Sequence, residues 1–300
     1  MKQSLLAASV LLLLIGGCQV ENSDSEVAAF IDTGIDPESW AGVPSGEFYL
    51  GRHSHETDVD YDYEMMVTDV TNSQYARYLN EAWAEGTIKI EGNEILGFYP
   101  GDNFNAYRHE EEIAAGDWIH VPLDDAGLRL EFNNQTFTPR EGYENHPMVQ
   151  VSWFGAKAYC DFYDWRLPTE IEWEKAARGT DNRPFPWGDD IDRANANFYS
   201  SHDIFEKIAG GLDDTTPVGF YNGQTYQSYE TIDSPSPYGL YDMAGNVWQW
   251  TADVYEDQHY RYLRGGGKDN YAYNLRVWTR NSAGPQHHGT NIGFRCVKES

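Results

Sequence analysis

The amino-acid sequence predicts an α+β fold, and three observations carry that prediction. Capping signals and helical spacing of apolar residues are concentrated ahead of Gly179. Beyond it Gly, Pro, Asn, Asp and aromatic residues dominate, the composition of short strands joined by ordered loops. Helices gathered early and strands late are not the regular alternation of a wound parallel sheet.

Each element follows from local chemistry. Pro44-Ser45-Gly46 makes a turn, and residues 47–50 read as a short strand leaving it. Thr71 with Gln74 three residues on forms a capping box, and Tyr75, Tyr78 and Leu79 recur at helical spacing, so a helix spans residues 72–84. Residues 86–144 mix strand-like pieces with Gly, Asn and acidic clusters and read as a loop-rich insertion. A strand then ends near Val151, and Ser152 caps a helix carrying Trp153, Ala156, Tyr159, Cys160 and Tyr163. Thr169 and Glu172 form a second capping box, with acidic residues placed at the positive helix end. Gly245-Asn246 suits a turn with positive φ, and Trp248 and Trp250 fall on one side of the strand that follows. Two large aromatics on one strand face serve as core more often than as a cofactor box.

The 300 residues hold 21 Lys and Arg against 48 Asp and Glu, a formal net charge of −27. That excludes an electrostatic nucleic-acid binder, because cations must displace the counterions of a polyanion. With 40% hydrophobic and 15% aromatic residues, the chain is not a disordered acidic polymer either. A solvated acidic surface is the favoured reading, with carboxylates grouped for calcium as the other. Arg166 and Arg295 are scarce cations here, so internal pairing with carboxylates is their default role.

The N-terminus carries a positive start, Met1-Lys2-Gln3, then an apolar run over residues 5–15 that is too short to span a bilayer. Leu14-Ile15-Gly16-Gly17-Cys18 looks like a bacterial lipobox, which implies a signal peptide over residues 1–17 and lipidation of Cys18. Gln19 in place of an aspartate favours an outer-membrane address, with the membrane contacted through the lipid anchor alone. Acidic and small residues over 18–39 read as a flexible tether, leaving a domain over 40–300. Cys160 and Cys296 are then the remaining cysteines; export favours a disulfide between them over two unpaired buried thiols.

Several blocks in order point to a family. They are Pro44-Ser45-Gly46-Glu47-Phe48, Val70-Thr71-Asn72, His146-Pro147-Met148-Val149, Arg166-Leu167-Pro168-Thr169-Glu170 and Pro186-Trp187-Gly188. The run from Tyr238 to Trp250, Arg264-Gly265-Gly266 and Gly293-Phe294-Arg295-Cys296 complete the set. Together they resemble the sulfatase-modifying-factor, or formylglycine-generating-enzyme, family. The resemblance implies one domain of modified C-type-lectin-like architecture with little regular secondary structure, and Cys160 and Cys296 match the family's structural disulfide.

The family's reaction needs two cysteines that hold copper shortly after Arg-Gly-Gly, since soft thiolates suit Cu(I). Residues 264–280 contain no cysteine, and Gly267 stands where a serine is usual. No catalytic residue and no copper site are therefore expected. The resemblance also implies calcium: Asp242, Gly245, Val247 and Gln249 match one site, with Asn-type and Glu ligands exchanged for Asp and Gln. Hard oxygens remain at both, which implies binding with altered affinity. At a second site Asn197 and the Phe198 carbonyl match, and the acidic partner aligns near Gly210.

His259, His287 and His288 show no metal-ligand spacing and read as solvated loop residues. Lys268, Asp269, Asn270, Tyr271 and Arg276 fill the place of the family's active-site groove, with the aromatic and amide mix of a recognition surface. In the other reading of this segment Leu275 and Trp278 are core and only residues 268–270 face solvent. The resulting expectation is a lipoprotein whose domain binds a protein or glycan at the cell envelope. The alternative is an oxidase on the same fold, acting in sulfatase or siderophore maturation.

Overall fold

A computed structural model describes residues 30–102, 113–206, 214–254 and 259–300. Near the N-terminus are β1 (Trp40–Val43), β2 (Gly46–Leu50), β3 (His55–Val59) and β4 (Tyr63–Met66), then α1 (Asn72–Glu85). Next come β5 (Ile88–Glu91), β6 (Glu94–Tyr99), β7 (Gly116–Pro122), β8 (Leu130–Asn133) and β9 (Thr136–Pro139), followed by α2 (Trp153–Phe162) and α3 (Glu170–Arg178). The remainder is β10 (Thr225–Tyr226), β11 (Tyr229–Glu230), β12 (Trp248–Val254), β13 (Arg261–Arg264), β14 (Arg280–Ala283), β15 (Ile292–Gly293) and β16 (Val297–Glu299). Small separate sheets with few helices make this an α+β fold, and much of the C-terminal half runs as ordered loop.

The three helices among the described residues start where their caps predict. Thr71 and Gln74 exchange both bonds of a capping box, Ser152 accepts from the Gly155 N–H, and Thr169 and Glu172 repeat the box. Each cap satisfies backbone N–H groups that a helix leaves without partners.

Two expectations are corrected. The segment 86–144 contains a three-stranded antiparallel sheet, β5-β6-β7, and the hairpin β8-β9, which Phe137 ties to α1 through the Asn80 carboxamide. Its short strands find order through partners, so no single stretch shows a period. The strand expected to end at Val151 does not form: Pro147 makes one isolated bridge to Thr71, and Gln150 turns left-handed at φ 58°.

A four-stranded sheet, order β14-β13-β12-β15, forms the centre, with β15 parallel to β12. The main core lies between it and the first two helices, where Tyr75, Tyr78, Tyr159 and Phe294 pack ring to ring beside Trp250. A second core gathers Trp173 of α3 with Phe48, Tyr63, Leu240 and Val277. The sheet β1-β4-β16 brings the last strand beside one of the first. Cys160 and Cys296 form a disulfide with Cα atoms 5.8 Å apart, joining α2 to the residue just ahead of that last strand.

The expected tether overlaps this body. Thr33 donates its hydroxyl to the Val218 carbonyl at 2.9 Å, and its own carbonyl accepts from Asn222 and Gln224. Ile35 lies against Gly219, so close that a Cβ there would stand 2.7 Å from it. Residues from Thr33 onward thus pack on this body, within the span expected to be tether. Residues 1–29, with the expected signal peptide and Cys18, lie outside the described residues.

The disulfide closes a loop of 136 residues. Replacing both cysteines with alanine is expected to lower the unfolding free energy by about 5 kcal/mol, the chain-entropy value for such a loop. Equilibrium urea unfolding of the oxidised and doubly substituted proteins measures it, and a loss below about 1 kcal/mol would contradict the estimate.

Candidate functional site

Two adjoining loops build the site. In the first, Asp242, Gly245 and Asn246 all take positive φ. A Cβ on Gly245 would lie 2.4 Å from the Asn197 carbonyl, so only glycine fits. Asn246 then acts as a buried staple: its N–H donates to the Asn197 carbonyl, and its carboxamide exchanges bonds with both backbone groups of Thr216. Trp248 and Trp250 follow into the core as expected, at 4% and 0% exposure.

The second loop runs from Gly265 to β14. Gly266 is left-handed, and a Cβ there would meet the Asn274 carbonyl at 3.0 Å. The Lys268 N–H donates to the Asn246 carbonyl, locking the two loops together, and the Asn270 carboxamide accepts from the Gly267 N–H. Leu275 and Val277 anchor the far side as fully buried residues.

This frame decides which expected groove residues face outward. Tyr271 is 63% exposed and packs on Tyr199 at 4.8 Å between ring centroids. Asp269 is exposed and accepts two bonds from the Asn291 carboxamide, while Asn270 and Arg276 are half-buried. Arg276 lies over the exposed ring of Tyr273 at 5.0 Å and toward Trp278 at 5.8 Å. Lys268 departs from expectation: pinned by Asn246, it is buried, so it is no part of the exposed face. Tyr199 was missed because it comes from a distant loop, brought in when its N–H donates to the Asn270 carbonyl.

Behind the loop the cations are held internally. Arg264 donates to Glu170 at 2.8 Å, to Glu174 at 2.5 Å and to the Val277 carbonyl, and stacks on Trp173. Arg280 pairs with Glu170 as well. Arg166 makes a bidentate pair with Glu172, and Arg295 pairs with Asp69, as the default reading of both required.

The residues matched to the first calcium site do not fit a metal ion. The Gln249 Oε1 already accepts from Trp173 Nε1 at 2.7 Å and from Arg295 Nε at 2.9 Å, which fills both lone pairs and sets a cation beside them. Its Nε2 donates to the Asp242 carbonyl, and Asp242 Oδ2 accepts from the Gly219 N–H. Asp242 is then the one charged group among the four matched residues, beside the carbonyls of Gly245 and Val247. At the second site the Asn197 amide donates to Asp214 and Asn246, and the Phe198 carbonyl accepts from Ser201. Gly210 lies outside the described residues. Copper finds no thiolate pair either, since Cys160 and Cys296 are consumed in the disulfide.

Residues 33–300 match the model of the sulfatase-modifying factor enzyme 1-like domain. The chain belongs to this family. It is 34% identical to the formylglycine-generating enzyme of Streptomyces coelicolor over 297 residues, covering 86% of this chain and 88% of that one. It is 30% identical over 282 residues to the serine/threonine-protein kinase pkn1 of Chlamydia caviae, covering 85% of this chain. The match spans 37% of that kinase's own length. Among solved structures PvdO from Pseudomonas aeruginosa superposes with a TM-score of 0.56 at 22% identity, covering 87% of this chain and 94% of PvdO. The fold is thus the formylglycine-generating-enzyme type, the modified C-type-lectin-like architecture that the motifs implied.

Two buried carboxylates face the Arg295 guanidinium, and burial pushes both upward, Asp242 to about 6 and Asp69 further. A carboxyl whose folded pKa exceeds its unfolded value binds more protons when folded, so stability falls as pH rises between the two. For Asp242 that window runs from about pH 4 to about pH 6. Asp242→Asn is expected to flatten this part of the stability profile, gaining on the wild type by about 2 kcal/mol between those limits. Urea unfolding at pH 4 and pH 6.5 measures it; parallel profiles would contradict the assignment.

Proposed function

We propose that this protein is an exported, lipid-anchored envelope protein whose sulfatase-modifying-factor-like domain binds a protein or glycan and does not generate formylglycine. One observation carries the reading. The loop after Arg264-Gly265-Gly266 keeps its glycine-defined path while presenting Tyr271, Tyr273 and Arg276, with no thiol in it. Exposed tyrosines beside an arginine suit recognition, because rigid amphipathic rings contribute contact area at low entropy cost. The anchor rests on the sequence from Met1 to Cys18, whose lipobox-like ending supports acylation at Cys18 and an outer-membrane address.

A second reading has one specific support, the 34% identity to the Streptomyces enzyme. It would make the protein an oxidase that works without the usual cysteine pair.

Incubating the full chain with a Cys-x-Pro-x-Arg peptide, Cu(I) and oxygen separates the two by mass. No change at the peptide cysteine is expected, and conversion to the aldehyde would overturn the binding-only reading. On an array of envelope glycans and purified envelope proteins, the double variant Tyr271→Ser, Tyr273→Ser is expected to lose at least about tenfold in affinity. Retained affinity would remove the tyrosines from the binding surface. For the anchor, Cys18→Ser is expected to lose acyl label and leave the membrane fraction; a labelled, sedimenting variant would refute lipidation at that residue.

A further inference from the structure

A cavity of about 240 Å³ lies away from the loops just described, bounded by α1, β6 and α2. Its walls are aromatic: Tyr78, Tyr99, Phe154 and Phe162 line it, and Phe98 stands at its edge 67% exposed. Lys157 and Asp161 also border the cavity, and they neutralise each other through bonds of 2.7 and 2.9 Å. The cavity therefore offers no net charge to a ligand.

His120 of β7 supplies the polar element among these rings. It is 2% exposed, lines the cavity, and its Nδ1 is sealed from solvent without a hydrogen-bond partner. The chain makes room for this ring deliberately. A Cβ on Gly97 would stand 2.2 Å from His120 Cε1, and one on Gly155 would stand 2.8 Å from the His120 carbonyl. Gly97 thus admits an imidazole where a hydrocarbon side chain would pack without polar cost, while Gly155 admits the backbone of the same residue.

Burial lowers the His120 pKa to about 4, so the ring is neutral near pH 7 and carries one N–H and one lone pair. A buried N–H without a partner is rarer than an unpaired acceptor. On that ground we assign the lone pair to the sealed Nδ1 and the proton to Nε2. The imidazole then serves as a hydrogen-bond donor to an acceptor oxygen.

We propose that this cavity is a binding site for a small neutral aromatic molecule carrying one hydroxyl oxygen, distinct from the surface formed by Tyr271 and Tyr273. The ring of such a ligand would pack edge-to-face within the aromatic walls, and its oxygen would take the His120 N–H. A charged ligand is disfavoured, because the walls are apolar and the one nearby ion pair is already closed on itself.

Isothermal titration and ligand-observed NMR on the full chain with p-cresol and toluene test this. Saturable binding of p-cresol at one site is expected, with toluene weaker by at least about tenfold because it cannot accept from the buried imidazole. Ala158 borders the cavity, and Ala158→Leu, which fills it from α2, is expected to weaken p-cresol by at least about tenfold at an unchanged melting temperature. Tyr271→Ser is expected to bind p-cresol as the wild type does. No saturable binding of p-cresol, equal affinity for toluene, or full p-cresol affinity in a folded Ala158→Leu protein would each overturn the proposal. The first two outcomes need no variant, so a failure of Ala158→Leu to fold leaves the test decisive.

Discussion

The guanidinium of Arg295 is the interaction on which the arrangement depends. It is fully buried and donates to the carbonyls of Met66, Val67 and Tyr241, to Gln249 Oε1 and to the Asp69 carboxylate. A buried cation is tolerated only when its donors are satisfied, so the group dictates where those chain segments run. They are the end of β4, the approach to the Asp242 turn and the first residues of β12. Its neighbours extend the tie: Cys296 is bonded to α2, and Phe294 packs on Tyr75 and Tyr159. The C-terminal residues thus join the two cores, and the site loops hang from that junction.

The same economy governs the other cations. Lys175, Arg178, Arg261, Arg264, Lys268 and Arg295 are all buried, although the protein has only 21 Lys and Arg. Three of the arginines lie over indole rings, Arg264 on Trp173, Arg178 on Trp278 and Arg261 on Trp153. Six acids, Asp69, Glu170, Glu172, Glu174, Asp203 and Asp214, are buried as well, so the acidic excess of the composition is carried by the surface. An acidic surface repels polyanions, and Arg276, held half-exposed over Tyr273, is a positive feature within it.

What the sequence made legible follows from how local each cause is. Capping boxes at Thr71 and Thr169 act within four residues, and both helices start where they should. Gly245 likewise announced a turn that the backbone adopts. Strand pairing is not local: Ile90 is ordered by Ile95, and Ile95 in turn by Val121, so the segment 86–144 looked irregular residue by residue. Side-chain commitments were least legible. Gln249 has the right element for calcium, yet Trp173 and Arg295, far from it in sequence, occupy its oxygen. Lys268 has the right charge for a groove, yet Asn246 draws its backbone inward.

These causes also explain how the fold persists without the redox cysteines. The path of the loop after Arg264 is set by Gly265 and Gly266, by the bond from Lys268 to Asn246, by the Gly267–Asn270 turn and by the buried Leu275 and Val277. None of those contributions needs a thiol. Side chains that face outward between the anchors, such as Tyr271 and Tyr273, carry little of the packing, so exchanging them alters surface chemistry at small cost to stability. Family membership and reaction therefore rest on different residues. The motifs that identify the family are the structural anchors, and the packing they provide does not depend on which side chains occupy the outward-facing positions.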